Sequence, residues 1–222
     1  MQNLFEDRYK QAAILLLGIF FIGCCIAPPY PDYLLMQHVP TVLVVAALVY
    51  LSVRFEISRL SFSLVLAFLA LHTLGARYLY SYTPYDAWLE RLIGFNISEA
   101  FGFQRNHYDR LVHFCYGLLM TTPIQEFERR HFGLSHALSA ALAVECIMAT
   151  SAAYEIIEWL VAVAYTPEDA EAFLGQQGDV FDAQKDMALA TAGALFAVGI
   201  SALMRTGRYR WDGSNSAPRT SV

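Results

Sequence analysis

At 222 residues, with 56% hydrophobic and 16% charged positions, the chain is too apolar for an ordinary soluble domain, where about a quarter of residues are charged. Mean hydropathy is +0.39 and net charge is −5, so no basic face advertises nucleic-acid binding. The four cysteines, Cys24, Cys25, Cys115 and Cys146, all sit inside apolar runs without zinc-ribbon spacing and read as reduced, buried thiols rather than a disulfide framework.

Crossing a hydrocarbon core about 30 Å thick takes about 20 helical residues. Six apolar segments approach this length: 11–27, 39–53, 60–80, 108–123, 135–164 and 186–204. Phe21-Ile22-Gly23-Cys24 in the first approximates a lipoprotein cleavage box. The residues before it mix Glu6 and Asp7 with Arg8 and Lys10, which favours a retained helix over a signal peptide. The second segment is short, and Pro40 suits an early helical position. After the third, Thr83-Pro84 resembles an N-cap and first helical residue. Tyr85, Trp88, Leu89, Leu92 and Ile93 then share one face, as in an amphipathic helix lying in the membrane interface. The fourth and sixth segments are weaker because polar residues fill their first turns. Ahead of the sixth, Thr166-Pro167-Glu168-Asp169 predicts a second short helix ending near Gly175. The expected fold is all-α: a single membrane domain over 1–204 with about six transmembrane helices and short interfacial helices in the outer loops. A disordered cytoplasmic tail is expected over 205–222.

With the N-terminus cytoplasmic, the inner segments hold Arg8, Lys10, Arg54, Arg59, Arg129, Arg130, Arg205, Arg208, Arg210 and Arg219. The outer loops hold Arg91, Arg105 and Lys185. This asymmetry predicts that both termini are cytoplasmic.

Ionisable residues inside spans are costly and need a partner or a task. Here they gather at one depth, under the outer surface: His72 and Arg77 in the third segment, Asp109, Arg110 and His113 in the fourth, Glu155 and Glu158 in the fifth, Asp182, Lys185 and Asp186 leading into the sixth. Asp109, His113 and Tyr116 fall on one helical stripe, as do Ser151, Glu155 and Glu158. Asp182 and Asp186 share a face that Gly193 and Ala197 extend with small residues, a face suited to close packing in the bundle. So many carboxylates in one low-dielectric volume require ion pairing, proton sharing or a bound cation. Each residue also has a structural reading: Asp109 and Arg110 as an interfacial ion pair, His113 as a core histidine, Asp179 or Asp182 as a helix cap. The convergence favours a site.

The strings Tyr108-Asp109-Arg110-Leu111-Val112-His113-Phe114, Tyr154-Glu155-Ile156-Ile157-Glu158-Trp159 and Gly178-Asp179-Val180-Phe181-Asp182-Ala183-Gln184-Lys185-Asp186-Met187 resemble the YjdF family of uncharacterised bacterial inner-membrane proteins over nearly the whole chain. A fainter likeness is to VanZ-like membrane proteins, which are linked to glycopeptide-antibiotic tolerance. It is carried by Asp109-Arg110, His113-Phe114, Tyr116, Glu155-Ile156-Ile157-Glu158, Asp186 and Gly193. Arg110, Glu158 and Ala190 stand where that pattern has Lys, Gln and Asn.

The leading expectation is an enzyme acting on a lipid or lipid-linked envelope substrate. Its catalytic candidates are Asp109, His113, Glu155, Glu158, Asp182 and Asp186. Arg110, Lys185, Arg77, His72 and Tyr116 are candidates for holding substrate. His113, Glu155, Glu158 and Asp186, with Asp182 as an alternative, are candidate ligands for Zn, Mn or Mg. Membrane lipids are the expected partners. The competing expectations are an ion- or proton-coupled transporter and a non-catalytic lipid- or antibiotic-binding protein.

Overall fold

Helices form where apolar runs meet capping residues. A computed structural model describes residues 4–164 and 175–214, with side chains to 205, and contains eight helices and no strand among the described residues. Helix α1 (Arg8–Cys25) starts behind Asp7, whose carboxylate accepts the Tyr9 N–H at 3.0 Å. Helix α2 (Pro31–Arg54) starts on Pro31, and α3 (Arg59–Arg77) starts behind Ser58, whose Oγ accepts the Ser61 N–H at 3.1 Å. The short helices α4 (Tyr85–Ile93) and α5 (Ile97–Phe101) end on left-handed Gly94 and Gly102. Three long helices follow: α6 (Tyr108–His131), α7 (His136–Ala164) and α8 (Asp182–Ser214).

Five helices are long and apolar enough to cross a membrane: α1, α2, α3, α7 and the Asp182–Arg205 part of α8. The expected fourth span, α6, matches α2 in length at 24 residues but carries too many polar side chains to qualify by composition. It packs against α3, α7 and, most extensively, α8, so other helices rather than lipid cover much of its polar surface.

Three boundaries differ from the sequence reading. Helix α2 begins at Pro31, which takes the early helical position expected of Pro40; Pro40 lies inside the helix. Helix α6 runs through Pro123 to His131, and α8 continues past residue 204 to Ser214. In each case hydropathy marks the apolar core, whereas backbone hydrogen bonding carries the helix beyond it. The second outer-loop helix expected after Thr166 lies outside the described residues, as do residues 215–222.

Polar contacts define the two ends of the bundle. At one end Arg59, opening α3, pairs with Asp7 at 2.9 Å. Glu126, near the end of α6, accepts the Ser58 N–H at 2.9 Å, the Ser58 hydroxyl at 2.5 Å and the Ser61 hydroxyl, and pairs with Arg130 at 3.0 Å. At the other end Arg77 donates to the carbonyls of Cys24, Ile26 and Ala27, closing the C-terminus of α1. Helix α4 buries no residue: Tyr85 and Trp88 rest against the bundle, Trp88 edge-on to Tyr78, while Leu92 and Ile93 at its far end are exposed.

The tightest seam joins α6 to α8. A Cβ on Gly117 would run into the Ala190 carbonyl and the Ala194 amide; one on Gly193 would run into the Phe114 carbonyl and the Leu118 amide. The two glycines thus let the backbones touch reciprocally, with Ala190 and Ala194 fully buried beside them.

Candidate functional site

The segments before α6 and α8 converge on the first turns of those two helices. Asn106 and Gln177 bond each other reciprocally: the Asn106 N–H donates to Gln177 Oε1 at 2.9 Å, and Gln177 Nε2 donates to the Asn106 carbonyl at 3.1 Å. Asn106 Oδ1 accepts the Tyr108 N–H at 2.9 Å and so starts α6. Arg105, just upstream, pairs with Asp182 at 2.5 Å and donates to the Gln176 and Gly175 carbonyls. Arg110 pairs with Asp179 and, at 3.3 Å, with Asp182; Lys185 reaches Asp179 at 2.6 Å. The Lys185 hydrogen bond holds the Asp179 carboxyl well below the usual carboxylate range, against the cost of burial and aided by the Phe181 amide and Arg110. Three cations and two carboxylates therefore form a closed network.

One turn deeper the balance reverses. Asp109, His113 and Asp186 each offer a ligand atom, all within 4.8 Å of one another. His113 Nε2 lies 3.7 Å from both Asp109 Oδ1 and Glu155 Oε1, too far for direct hydrogen bonds. Ligand atoms sharing one ion at about 2.0–2.2 Å sit roughly 3–4 Å apart. Asp186 is 2% exposed, and its Oδ1 and Glu155 Oε1 are buried without a hydrogen-bond partner among the described residues. No Lys or Arg lies within ion-pair distance of Asp109, Glu155 or Asp186 there. The group has the donor set and the uncompensated charge of a cation site.

Two hollows flank it. One, of about 180 Å³, lies among α2, α3, α6 and α7; Asp109, His113, His72, Tyr80, Tyr116 and Tyr154 line it together with apolar side chains. The other, of about 260 Å³, is lined by Glu155, Glu158 and Trp159 on α7, by Gln176 and Val180, and by Asp182, Ala183 and Gln184 opening α8. Glu155 and its neighbour His113 thus stand between the two hollows.

The structure therefore sorts the predicted residues. Asp109, His113, Glu155 and Asp186 come together. Glu158 lines the second hollow beside Glu155 and bonds Tyr154, and Asp182 is held by Arg105 and Arg110 at the edge of the group. Arg110 and Lys185 lie at the mouth of the site but are engaged by carboxylates. Arg77 caps α1, so it is not placed to hold substrate. His72 lines the cavity with its Nδ1 bonded to the Tyr80 hydroxyl, and the Tyr116 hydroxyl pairs with Thr150 at 2.6 Å.

Sequence reasoning missed Arg105 and Tyr80. Arg105 sits in a loop, where no periodicity shows which way it reaches. Tyr80 is brought back under α3 by left-handed backbone at Leu79 and Tyr80 (φ 51° and 53°), and the Tyr80 N–H closes on the Gly75 carbonyl at 2.8 Å. Its ring lies where a Cβ on residue 75 would be, so Gly75 was the available signal.

A family model described as "Predicted membrane protein (DUF2238)" matches residues 9–207. The "Inner membrane protein YjdF" of Escherichia coli (strain K12) is 34% identical over 165 residues, which cover 74% of this chain and 75% of that protein. No solved structure matches the chain.

Proposed function

The chain belongs to the YjdF (DUF2238) family of inner-membrane proteins, and from that footing we propose that it is a divalent-cation-dependent enzyme acting on a lipid or lipid-linked envelope substrate. One observation carries this reading: Asp109, His113 and Asp186 gather their ligand atoms within 4.8 Å while every nearby Arg and Lys is spent on Asp179 and Asp182. A Zn, Mn or Mg ion offsets the charge and lowers the pKa of a bound water. Glu155, 3.7 Å from His113 and at the edge of the second hollow, is placed to accept that water's proton. Arg110 and Lys185 orient the carboxylate network above the reacting centre. The VanZ-like strings fit the same centre. Ala190, where that pattern has Asn, is fully buried beside Gly117, which leaves no room there for a longer side chain.

The test is thermal unfolding of the purified protein with chelator and with added Zn, Mn or Mg, beside elemental analysis. Ion at a hundredfold over its Kd adds about 2.7 kcal/mol of stability. Chelator should lower the Tm of the wild type and leave His113→Ala nearly unmoved. A wild type that carries no metal and responds to none sinks the proposal. The second reading, a proton-coupled transporter, then leads, because His38 and His72 extend the buried titratable groups from the site into α2 and α3. Proton flux into proteoliposomes would decide it.

A further inference from the structure

The cavity among α2, α3, α6 and α7 has a polarity of its own. Its walls are mainly apolar, from Val44 on α2, Phe68 and Leu69 on α3 and Val112 on α6. Two hydroxyls in those walls, on two different helices, are buried with no hydrogen-bond partner among the described residues, Thr41 Oγ1 and Ser151 Oγ, and the buried His72 imidazole lies beside them. The other hydroxyls lining the cavity are better served. Tyr80 is bonded to His72 Nδ1, and Tyr116 and Thr150 satisfy each other. Buried hydrogen-bonding groups seldom stay unpaired, and two facing one hollow from different helices point to a ligand that supplies their partners.

The occupant's charge follows from what is missing. No Lys or Arg lines the cavity, and the carboxylate of Asp109 does. An anionic headgroup drawn inside would lose its hydration and meet a like charge. A hydroxyl meets donors and acceptors of the right kind in His72, Ser151 and Thr41. Access follows from the packing: α2 packs chiefly on α3, and α7 packs on α6 and α8, so no extensive contact seals the seam between α2 and α7. That seam faces the bilayer, the source of hydrocarbon-tailed molecules.

We propose that this cavity binds an uncharged, hydroxyl-bearing lipid that enters sideways between α2 and α7, with its hydroxyl held by His72, Ser151 and Thr41 and its chain along Val44, Phe68 and Leu69. As the substrate of the neighbouring carboxylate–histidine centre, this lipid rests on the enzyme reading above; its binding does not. A diacylglycerol and a polyprenol share this chemistry.

The experiment measures equilibrium binding of radiolabelled dioleoylglycerol and of farnesol to the full chain in detergent, with dioleoylphosphatidic acid and farnesyl diphosphate as charged counterparts. Saturable binding of at least one alcohol, at least fivefold tighter than its charged counterpart, is expected; which alcohol binds identifies the source. Val44→Trp fills the cavity and should weaken binding more than tenfold. Thr41→Val with Ser151→Ala, nearly isosteric and safe for folding, should weaken it at least fivefold. Monodispersity and helical content serve as folding controls. No saturable binding of either alcohol, equal binding of the charged forms, or binding indifferent to the Thr41/Ser151 pair overturns the proposal. Alcohol binding by a protein that ignores metals keeps this inference and removes the cation reading; a metal response without alcohol binding does the reverse.

Discussion

On α8 one turn separates Asp182, which two guanidiniums neutralise, from Asp186, which has none nearby. Their substitutions should therefore separate stability from metal response. Asp182→Asn weakens charged hydrogen bonds to Arg105 and Arg110 and should cost about 1.5–3 kcal/mol while leaving the chelator response intact. Asp186→Asn removes an unpaired buried charge together with a metal ligand, so it should melt at or above the chelated wild type and abolish the response. Chelator-dependent melting of both variants checks this, and identical behaviour would mean that the two acids belong to one network. Asp179 gives a pH signature. Its carboxyl is held below the ordinary range chiefly by Lys185, so its contribution is complete above about pH 4 and is lost only as pH falls toward the lower folded value. The Tm gap between wild type and Asp179→Asn should be flat from pH 8 to 5 and narrow below about pH 4. At this scale the sequence is legible along helices and mute in loops. Four-residue spacing places Asp109 with His113, but the side chain that takes Asp182 out of the centre is Arg105, whose reach is set by the carbonyls of Gly175 and Gln176 some seventy positions away.

Among elements, the α6–α8 seam makes the sharpest prediction. Gly117→Ala or Gly193→Ala places a methyl against backbone, which cannot swing aside, and each should cost about 1–3 kcal/mol through overpacking. Gly18 on α1 has open space where its Cβ would be, so Gly18→Ala should be neutral or gain about 0.5–1 kcal/mol from helix propensity. Unfolding in detergent, read by proteolysis or melting, compares the three; a loss at Gly18 equal to that at Gly117 would deny the seam its special role. The small-residue face of α8 was readable as Gly193 and Ala197 on the stripe of Asp182 and Asp186. Its counterpart was not, because Gly117 is a single glycine amid larger neighbours and only the crossing itself reveals its use. The start of α2 and the ends of α6 and α8 were similarly hidden. A proline at N1 sets the first and backbone hydrogen bonding extends the others, whereas hydropathy registers only the lipid-facing middle.

For the whole molecule, contacts at Asp7, Arg59 and Glu126 mark one end and the Asp109–Asp186 group marks the other, so orientation decides which compartment the site faces. The Lys/Arg asymmetry expected the site outside. In a variant with the four native cysteines replaced, Ile97→Cys should react with an impermeant thiol reagent in intact spheroplasts and Arg129→Cys should not. Labelling of residue 129 alone would turn the centre toward the cytoplasm. The number and class of helices were legible because hydrocarbon demands long apolar runs. What escaped was that the least apolar span, α6, lies between three others, a fact that belongs to packing and not to any one segment. That placement also bears on biogenesis. Between Arg110 and Glu126, α6 offers about 24 Å of uncharged helix at 1.5 Å per residue, less than the bilayer core. It is thus a poor candidate for independent partitioning from the translocon into lipid. Its stable seat is the groove of α8, which is synthesised after it, so α6 is secured only once that later helix has emerged.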